Sequence, residues 1–304
     1  MALAISRRVG ASVVALCALI VFVFVMARMT GNPAALYLGE GASQQQIHEY
    51  EVVHGLNKPV WNQFFSYVRD VVHGDFGQST LYNAPAMHVA LSRFPNTLVL
   101  ALVTFVLGLL IGSVLGSVAA YWEGRAADKV ITAISTAALS FPSFWLALVL
   151  VLVFALKLGW LPSSGMSGLS SYVLPIVTLL VANLGVVVQA VRDSLVGVLR
   201  SEYVAAATAK GMRRWYVVTR HAWRNASIPV LTIAGATAVG IVNGALIVET
   251  VFDWPGIGQV VVNAVLNRDF ALLQAAVTVI GIAVVVFNVL IELSYVFLDP
   301  RIRR

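Results

Sequence analysis

Nucleophilic, metal-centred and nucleotide chemistry each need particular side chains at particular spacings, and this sequence offers few of them. Cys17 is the single cysteine and lies inside an apolar run, so neither an intrachain disulfide nor a thiolate cluster can form. His48, His54, His73 and His88 share one polar stretch, but their spacings match no tight ligand pattern and no metal site is expected. There is no run of the form GxxxxGKS or GxxxxGKT, so the chain cannot use ATP through a P-loop of its own and no cofactor is expected in it. Asn183, Gln189, Asn243 and Asn288 are the notable polar groups within apolar runs. Such amides either hydrogen-bond neighbouring helices or line a polar pathway. No apolar run carries a His, an Asp or a Cys–His pairing, which argues against hydrolysis within a membrane. Ionisable groups at mid-membrane depth, which ion-coupled carriers use, are almost absent.

The densest chemistry is positive charge. Residues 192–228 contain Arg192, Arg200, Lys210, Arg213, Arg214, Arg220 and Arg224 against Asp193 and Glu202. Within this loop LRSEYVAAATAKG, residues 199–211, predicts a short exposed helix. Ser201 suits the N-cap, Glu202 the positive helix end and Gly211 a left-handed C-cap, with alanine filling the centre. MRRWYVVTRHAWRNA, which follows, predicts a basic amphipathic helix with Trp215, Val218, Ala222 and, less regularly, Trp223 on its apolar face. One reading is a positive loop anchored by aromatics at the headgroups. The other is a docking site, because small side chains over two turns let another protein approach the backbone.

The elements that must position this loop are apolar. With 59% hydrophobic and 11% charged residues, the chain has too few charges to cover a soluble surface of its size. Its mean hydropathy of +0.86 places it in a bilayer. A helix needs about 20 mainly apolar residues to cross the hydrocarbon, because every backbone amide must pair where water is absent. Six runs meet this, at 9–28, 96–121, 130–156, 173–191, 229–250 and 272–297, and predict an all-α integral membrane fold with six transmembrane helices. The start MALAISRRVG is read as leading into an uncleaved first helix, since no small-residue cleavage pattern follows it. Strand-like alternation is absent, which excludes an outer-membrane barrel. Pro142 and Pro175 fall within the third and fourth runs, as kinks that either line a pathway or serve packing.

The expected division is 1–29, the amino terminus with the first helix; 30–95, an extracytoplasmic segment long enough for a small folded cap; and 96–304, a five-helix core carrying loop 192–228. A net charge of +6 could suggest nucleic acid, but one topology places 14 of the 20 Lys and Arg residues on the cytoplasmic side. These are Arg7 and Arg8, Arg125 and Lys129, the seven of the loop, and Arg301, Arg303 and Arg304. Both termini are therefore expected in the cytoplasm, and no nucleic-acid partner is expected.

EYVAAATAKGM followed by TRHAWRNASIP resembles the cytoplasmic coupling loop of binding-protein-dependent ABC importer permeases, in the form of the dipeptide and oligopeptide branch. HGDFGQS at 73–79, FPNTLVLAL at 94–102, LGWLPSSG at 158–165, ETVFDWPGIGQ at 249–259 and LDPRIR at 298–303 extend the resemblance along the chain. The long segment after the first helix is similar to the B-type subunit of the two permeases in these systems. Two positions depart from the branch's pattern: Thr208 and Gln189 stand where an arginine is common.

The resemblance implies that Glu202, Tyr203, Ala206, Ala207, Lys210 and Gly211 form the helix that enters a groove on an ATPase subunit, with Arg220, His221, Arg224 and Asn225 connecting it to the fifth helix at Pro229. It also implies two ATPase subunits or domains that hold ATP and Mg2+, a second, non-identical permease, and an extracytoplasmic substrate-binding protein. The setting is a bacterial inner membrane, and the activity is import of di- or oligopeptides by alternating access, or of nickel, glutathione or haem on the same machinery. In ETVFDWPGIGQ the Pro-Gly-Ile-Gly run forbids a regular helix. By resemblance it lies near the outer gate, where Asp253 and Trp254 meet delivered substrate; an ordinary turn is the other reading.

Overall fold

Proline, glycine and the need to pair every backbone amide decide where the apolar runs begin, bend and end. The computed structural model describes residues 2–29, Ala34, Leu38, 41–53, 55–212, 214–218 and 223–298. The described chain is predominantly helical. Four helical stretches are long and apolar enough to cross a membrane: Ala86–Tyr121, Leu169–Leu199, Pro229–Val251 and Phe270–Ile291. A fifth span is present if the bent pair Ala126–Ser140 and Ser143–Lys157 is one broken crossing.

The chain divides into two compact units, 97–255 with 287–304, and 2–96 with 256–286. The second unit contains α1 (Ala2–Met29), α2 (Gln44–Val53), α3 (Val60–Val72), the ladder of β1 (Gln78–Ser79) and β2 (Ala84–Pro85), and the start of α4 (Ala86–Tyr121). Described residues of segment 30–95 share a core with the chain from 257 onward. Phe76, Ala86, Val89 and Ala90 are buried together with Ile257, Val260, Ala264, Leu272 and Ala275 from far along the chain. Asp269, 2% exposed, staples the two parts: its carboxylate accepts from Ser79 Oγ at 2.6 Å, from the Leu81 amide at 3.1 Å and from the Leu272 amide at 3.0 Å. Phe24 of α1 packs on Phe64 and Tyr67 of α3 with ring centroids 5.3 and 5.2 Å apart, and burial pushes the Tyr67 phenol up to about 12.

The first unit holds the rest of α4, α5 (Ala126–Ser140), α6 (Ser143–Leu150), α7 (Val173–Leu199), α8 (Glu202–Ala209) and α9 (Trp223–Val251). The second unit resumes at α10 (Ile257–Leu266) and the start of α11 (Phe270–Leu298), whose last residues return to the first. Helix α7 is central, packed mainly against α9 and α5. Val187, Val191 and Leu195 of α7 meet Ala120 of α4 and Ala226 and Val230 of α9 in one buried cluster; Leu174 and Leu179 meet Ile241, Ala245 and Val248 in another. Gly185 lets α7 touch α5, because a Cβ there would strike the Ser135 carbonyl oxygen and come 2.7 Å from Leu139 Cγ.

Several predicted boundaries move. The third run is broken by 98° between α5 and α6. Phe141, preceding Pro142, is extended at φ −91° and ψ 124°, and Pro142 heads α6 with no amide to donate. Helix α6 then continues as a π-helical segment, Val151–Lys157. Pro175, by contrast, is the third residue of α7, where its missing donor is not required, so that run carries no break there. The second run starts ten residues early, at Ala86 rather than 96, with Pro95 inside the helix. The fifth starts at Trp223 with Pro229 inside it.

Gly185→Val should cost about 1–3 kcal/mol through overpacking. A lowered melting temperature of the detergent-solubilised protein checks it, with Gly108→Ala, whose added methyl would sit 3.6 Å from Leu180, as the tolerated control.

Candidate functional site

The loop after α7 folds as its residues require. Ser201 is extended at φ −76° and ψ 152° and heads α8, but its hydroxyl donates to the Val198 carbonyl at 2.5 Å rather than capping an amide. Glu202 opens the helix, where its charge favours the positive end. Lys210 closes it and Gly211 takes φ +83°, donating its amide to the Thr208 carbonyl at 2.9 Å. Nothing lies within 4 Å of a Cβ added at Gly211, so glycine is needed there for its left-handed backbone and not for space. Val204 is buried and anchors α8, whereas Glu202, Ala205, Ala206, Thr208, Ala209 and Lys210 are exposed. Among the described residues the free face is thus alanine methyl groups and backbone with Thr208, whose hydroxyl bonds back to the Val204 carbonyl at 2.9 Å, between an acid at one end and a lysine at the other.

Both flanks of α8 are tied to the end of α4 and the corner that follows it, residues 117–128. On the incoming side Arg192 reaches Asp128 through Nε and Nη2, at 2.5 and 2.8 Å, and Arg200 Nη2 reaches Glu123 at 2.5 Å. Asp128 also accepts the Gly124 amide at 2.9 Å and the Thr132 hydroxyl at 3.3 Å. On the outgoing side the Trp215 ring meets Tyr121 edge-on at 5.6 Å, and Trp223 Nε1 donates to Ser117 Oγ at 2.9 Å. Arg125 lies over the Trp122 ring at 5.0 Å.

Not every predicted feature of the loop is visible. The helix expected over MRRWYVVTRHAWRNA is described as a helical turn, Arg214–Tyr216, running into Val217 and Val218, and as the start of α9. Trp215 is 51% exposed while Val217 and Val218 are buried, so Trp215 and Val218 do not share one buried face. Arg220, His221 and Ala222 lie outside the described residues, as do the side chains of Tyr203, Ala207, Arg224 and Asn225, whose backbones are helical.

The polar groups of the apolar helices are dispersed. Asn183 donates to the Leu179 carbonyl of its own helix at 2.8 Å. Gln189 bridges to Thr136 Oγ1 of α5 at 3.1 Å. Asn243 is exposed on α9 and Asn288 is half-buried on α11. The segment ETVFDWPGIGQ is an ordered corner: Asp253 is exposed at φ +48°, and helix α10 begins directly after Gly256. Trp254 is fully buried against Tyr172, with centroids 4.5 Å apart, and so is closed to substrate in this conformation. Its amide donates to the Glu249 carbonyl at 2.8 Å, and the Gly165 amide donates to the Phe252 carbonyl at 2.8 Å.

Sequence reasoning missed Asp128, Glu123 and Glu249. Glu249 is fully buried and accepts from Thr97 Oγ1 at 2.5 Å. The available signal was an acid beside a basic loop, or at the edge of an apolar run, where a buried carboxylate requires a partner.

Residues 112–304 match the family model described as binding-protein-dependent transport system inner membrane component, and residues 1–103 match that of its N-terminal region. This chain belongs to that family. The permease is 36% identical over 284 residues to the glutathione transport system permease protein GsiC of Escherichia coli (strain K12), covering 93% of this chain and 92% of that one. GsiC of Shigella flexneri serotype 5b is similar to the same extent. Among solved structures, the MetNI methionine ABC transporter in inward-facing form has a chain that superimposes with a TM-score of 0.61 at 17% identity, covering 70% of this chain and 97% of that one. This likeness shows a shared fold. The protein is therefore a multi-pass inner-membrane permease subunit of an ABC importer, a class that works with ATPase subunits and a binding protein, and the resemblance read from its coupling-loop motif holds.

Trp254→Ala should destabilise the protein by about 3–5 kcal/mol, as for other buried tryptophans. The measurement is thermal melting of the purified complex, where a large drop is expected; unchanged melting with weakened substrate binding would make Trp254 a contact residue instead.

Proposed function

We propose that this permease forms half of the translocation pathway for di- or oligopeptides and that α8 is the helix through which partner ATPases drive it. The observation that carries the reading is the exposed, alanine-rich face of α8, stopped by a left-handed Gly211. Glu202, Tyr203, Ala206, Ala207 and Lys210 would enter a groove on the ATPase, with Arg220, His221 and Arg224 linking the helix to α9. ATP and Mg2+ would be bound on two such ATPase subunits or domains. A second, non-identical permease would complete the pathway, lined in part by Asn183, Gln189, Asn243 and Asn288, with Asp253 near the outer gate. The apolar stretch of α1, which includes Cys17–Met26, would be the sixth span. The concentration of arginine in loop 192–228 supports a cytoplasmic position for it, with both termini on the same side.

The peptide cargo rests on the sequence resemblance to the dipeptide and oligopeptide branch. The permeases of Escherichia coli and Shigella, named for glutathione, favour a second reading within the same chemistry, since glutathione is itself a short peptide. Cargo is assigned by reconstituting the permease pair with its ATPases and binding protein in liposomes and measuring ATP-dependent uptake of dipeptides, longer peptides, glutathione, Ni2+ and haem. Uptake of peptide competed by glutathione supports the wider reading. Uptake of Ni2+ or haem alone overturns it, and uptake by the permease without ATPase overturns import by this machinery.

Gly211→Leu forces a branched residue into the left-handed region, at a cost of about 1–2 kcal/mol, and Ala206→Trp fills the free face of α8. Both should abolish ATPase co-purification and uptake while the permease still inserts. Normal association in both variants would remove α8 from docking.

A further inference from the structure

Residues 121–128 run from the last residue of α4 into the first turn of α5, outside the loop that carries α8, yet the chain entering α8 is fastened to them through Arg192 and Arg200 and the chain leaving it through Trp215. The tightest fastening is Asp128 with Arg192, two parallel N–H···O bonds between side chains 64 positions apart. The Asp128 side chain is 4% exposed and that of Arg192 is 24% exposed, so water screens the pair far less than an ion pair at the surface. A bidentate guanidinium–carboxylate contact fixes direction as well as distance. Asp128 also holds the Gly124 amide and the Thr132 hydroxyl, which makes the corner and the start of α5 one stiff piece. Arg192 sits two turns before the end of α7 and also reaches Asp193 at 2.9 Å, so its guanidinium is held from two sides.

We propose that the Asp128–Arg192 pair is a positioning device for transport: it makes the 121–128 corner move with α8, so that a displacement of α8 reaches α4 and the bent α5–α6 pair as well as the two helices that flank the loop. This rests on the reading of α8 as the coupling helix. Without the pair, the chain around α8 keeps only the exposed Arg200–Glu123 tie, the Trp215–Tyr121 ring contact and the Trp223–Ser117 bond beside its covalent links to α7 and α9, so more of a push delivered there is absorbed by rotation of the loop. With it, the push is shared by every helix of the unit that begins or ends at the corner. Glu123 with Arg200 is the lesser tie, since the Arg200 side chain is 73% exposed.

The test uses the assembled importer in liposomes with its ATPases and binding protein. Asp128→Asn keeps the shape and the acceptor for Gly124 but removes the charge; Asp128→Glu keeps the charge. Spin labels on Ala126→Cys and Met212→Cys, the latter just beyond the glycine stop of α8 and off its free face, in a Cys17→Ser background, report the separation of corner and α8. In the parent that separation stays the same with and without ATP. In Asp128→Asn it shifts or broadens on ATP binding, and substrate moved per ATP hydrolysed falls at least about fivefold, whereas Asp128→Glu keeps most of it. A parent separation that changes with ATP overturns the proposal. So does an Asp128→Asn importer that keeps the parent separation, or one that loses hydrolysis and uptake by one common factor, which marks the pair as only structural. Docking is scored separately, by ATPase co-purification in Ala206→Trp, so failure of the relay and failure of the coupling reading give different results.

Discussion

Polar groups within an apolar span are costly unless the chain pairs them itself, and the first unit is shaped by how far it does so, with Thr104 Oγ1 of α4 left as a buried hydroxyl without a partner among the described residues. Along the helices the pairing is local. Thr178 returns to the Leu174 carbonyl, Asn183 to Leu179, Thr237 to Ile233 and Ser117 to Ser113, each one turn back on its own helix. Side chains satisfied in this way leave helix contact to shape, which is why α7 meets α9 through Leu, Ile, Val and Ala and meets α5 at Gly185. Side-chain bonds that cross between helices in this unit sit at a few separate points: Thr97 with Glu249, Gln189 with Thr136, Asp128 with Arg192, Trp223 with Ser117. The helices are thus smooth against one another along most of their length and pinned at particular points. Such an arrangement lets spans tilt without breaking buried bonds while the pinned points keep register.

The same contrast explains the sites. The exposed face of α8 offers few hydrogen-bonding side chains, so what it offers another protein is shape, and shape depends on alanine and on the backbone of Gly211. The chemistry that holds α8 in place is ionic and aromatic and lies outside the helix, on α7, on the corner after α4, and at Trp215 and Trp223. In the segment ETVFDWPGIGQ, Trp254 and Phe252 go into the protein and Asp253 turns outward in a left-handed conformation, so this corner is rigid rather than an open loop. The family models and the relatives from Escherichia coli and Shigella assign the machinery to which these parts belong.

Hydropathy found the long apolar helices but not their ends. The start of α4 was hidden because AMHVALSRF is interrupted by His88, Ser92 and Arg93 and Pro95 looked like a beginning; the helix carries the proline inside instead. The extension of α7 to Leu199 was hidden by Arg192 and Asp193, which read as loop until Asp128 is seen to neutralise the arginine. Pro142 and Pro175 carry the same residue type with opposite outcomes. Position within the helix decides, since one interrupts an established ladder and the other sits where no donor is yet required.

By itself the sequence determined the membrane class, most of the apolar helices, the α8 helix with its glycine stop, and the family. Those follow from composition, local propensity and motif, each readable within a few neighbouring residues. Only the tertiary structure decided that described residues of segment 30–95 share a core with the chain from 257 onward, that Trp254 is interior, and that α8 is fastened to the 121–128 corner. These depend on partners 64 to 190 positions apart. No local pattern tells a buried aspartate from an exposed one until the arginine that neutralises it is in place.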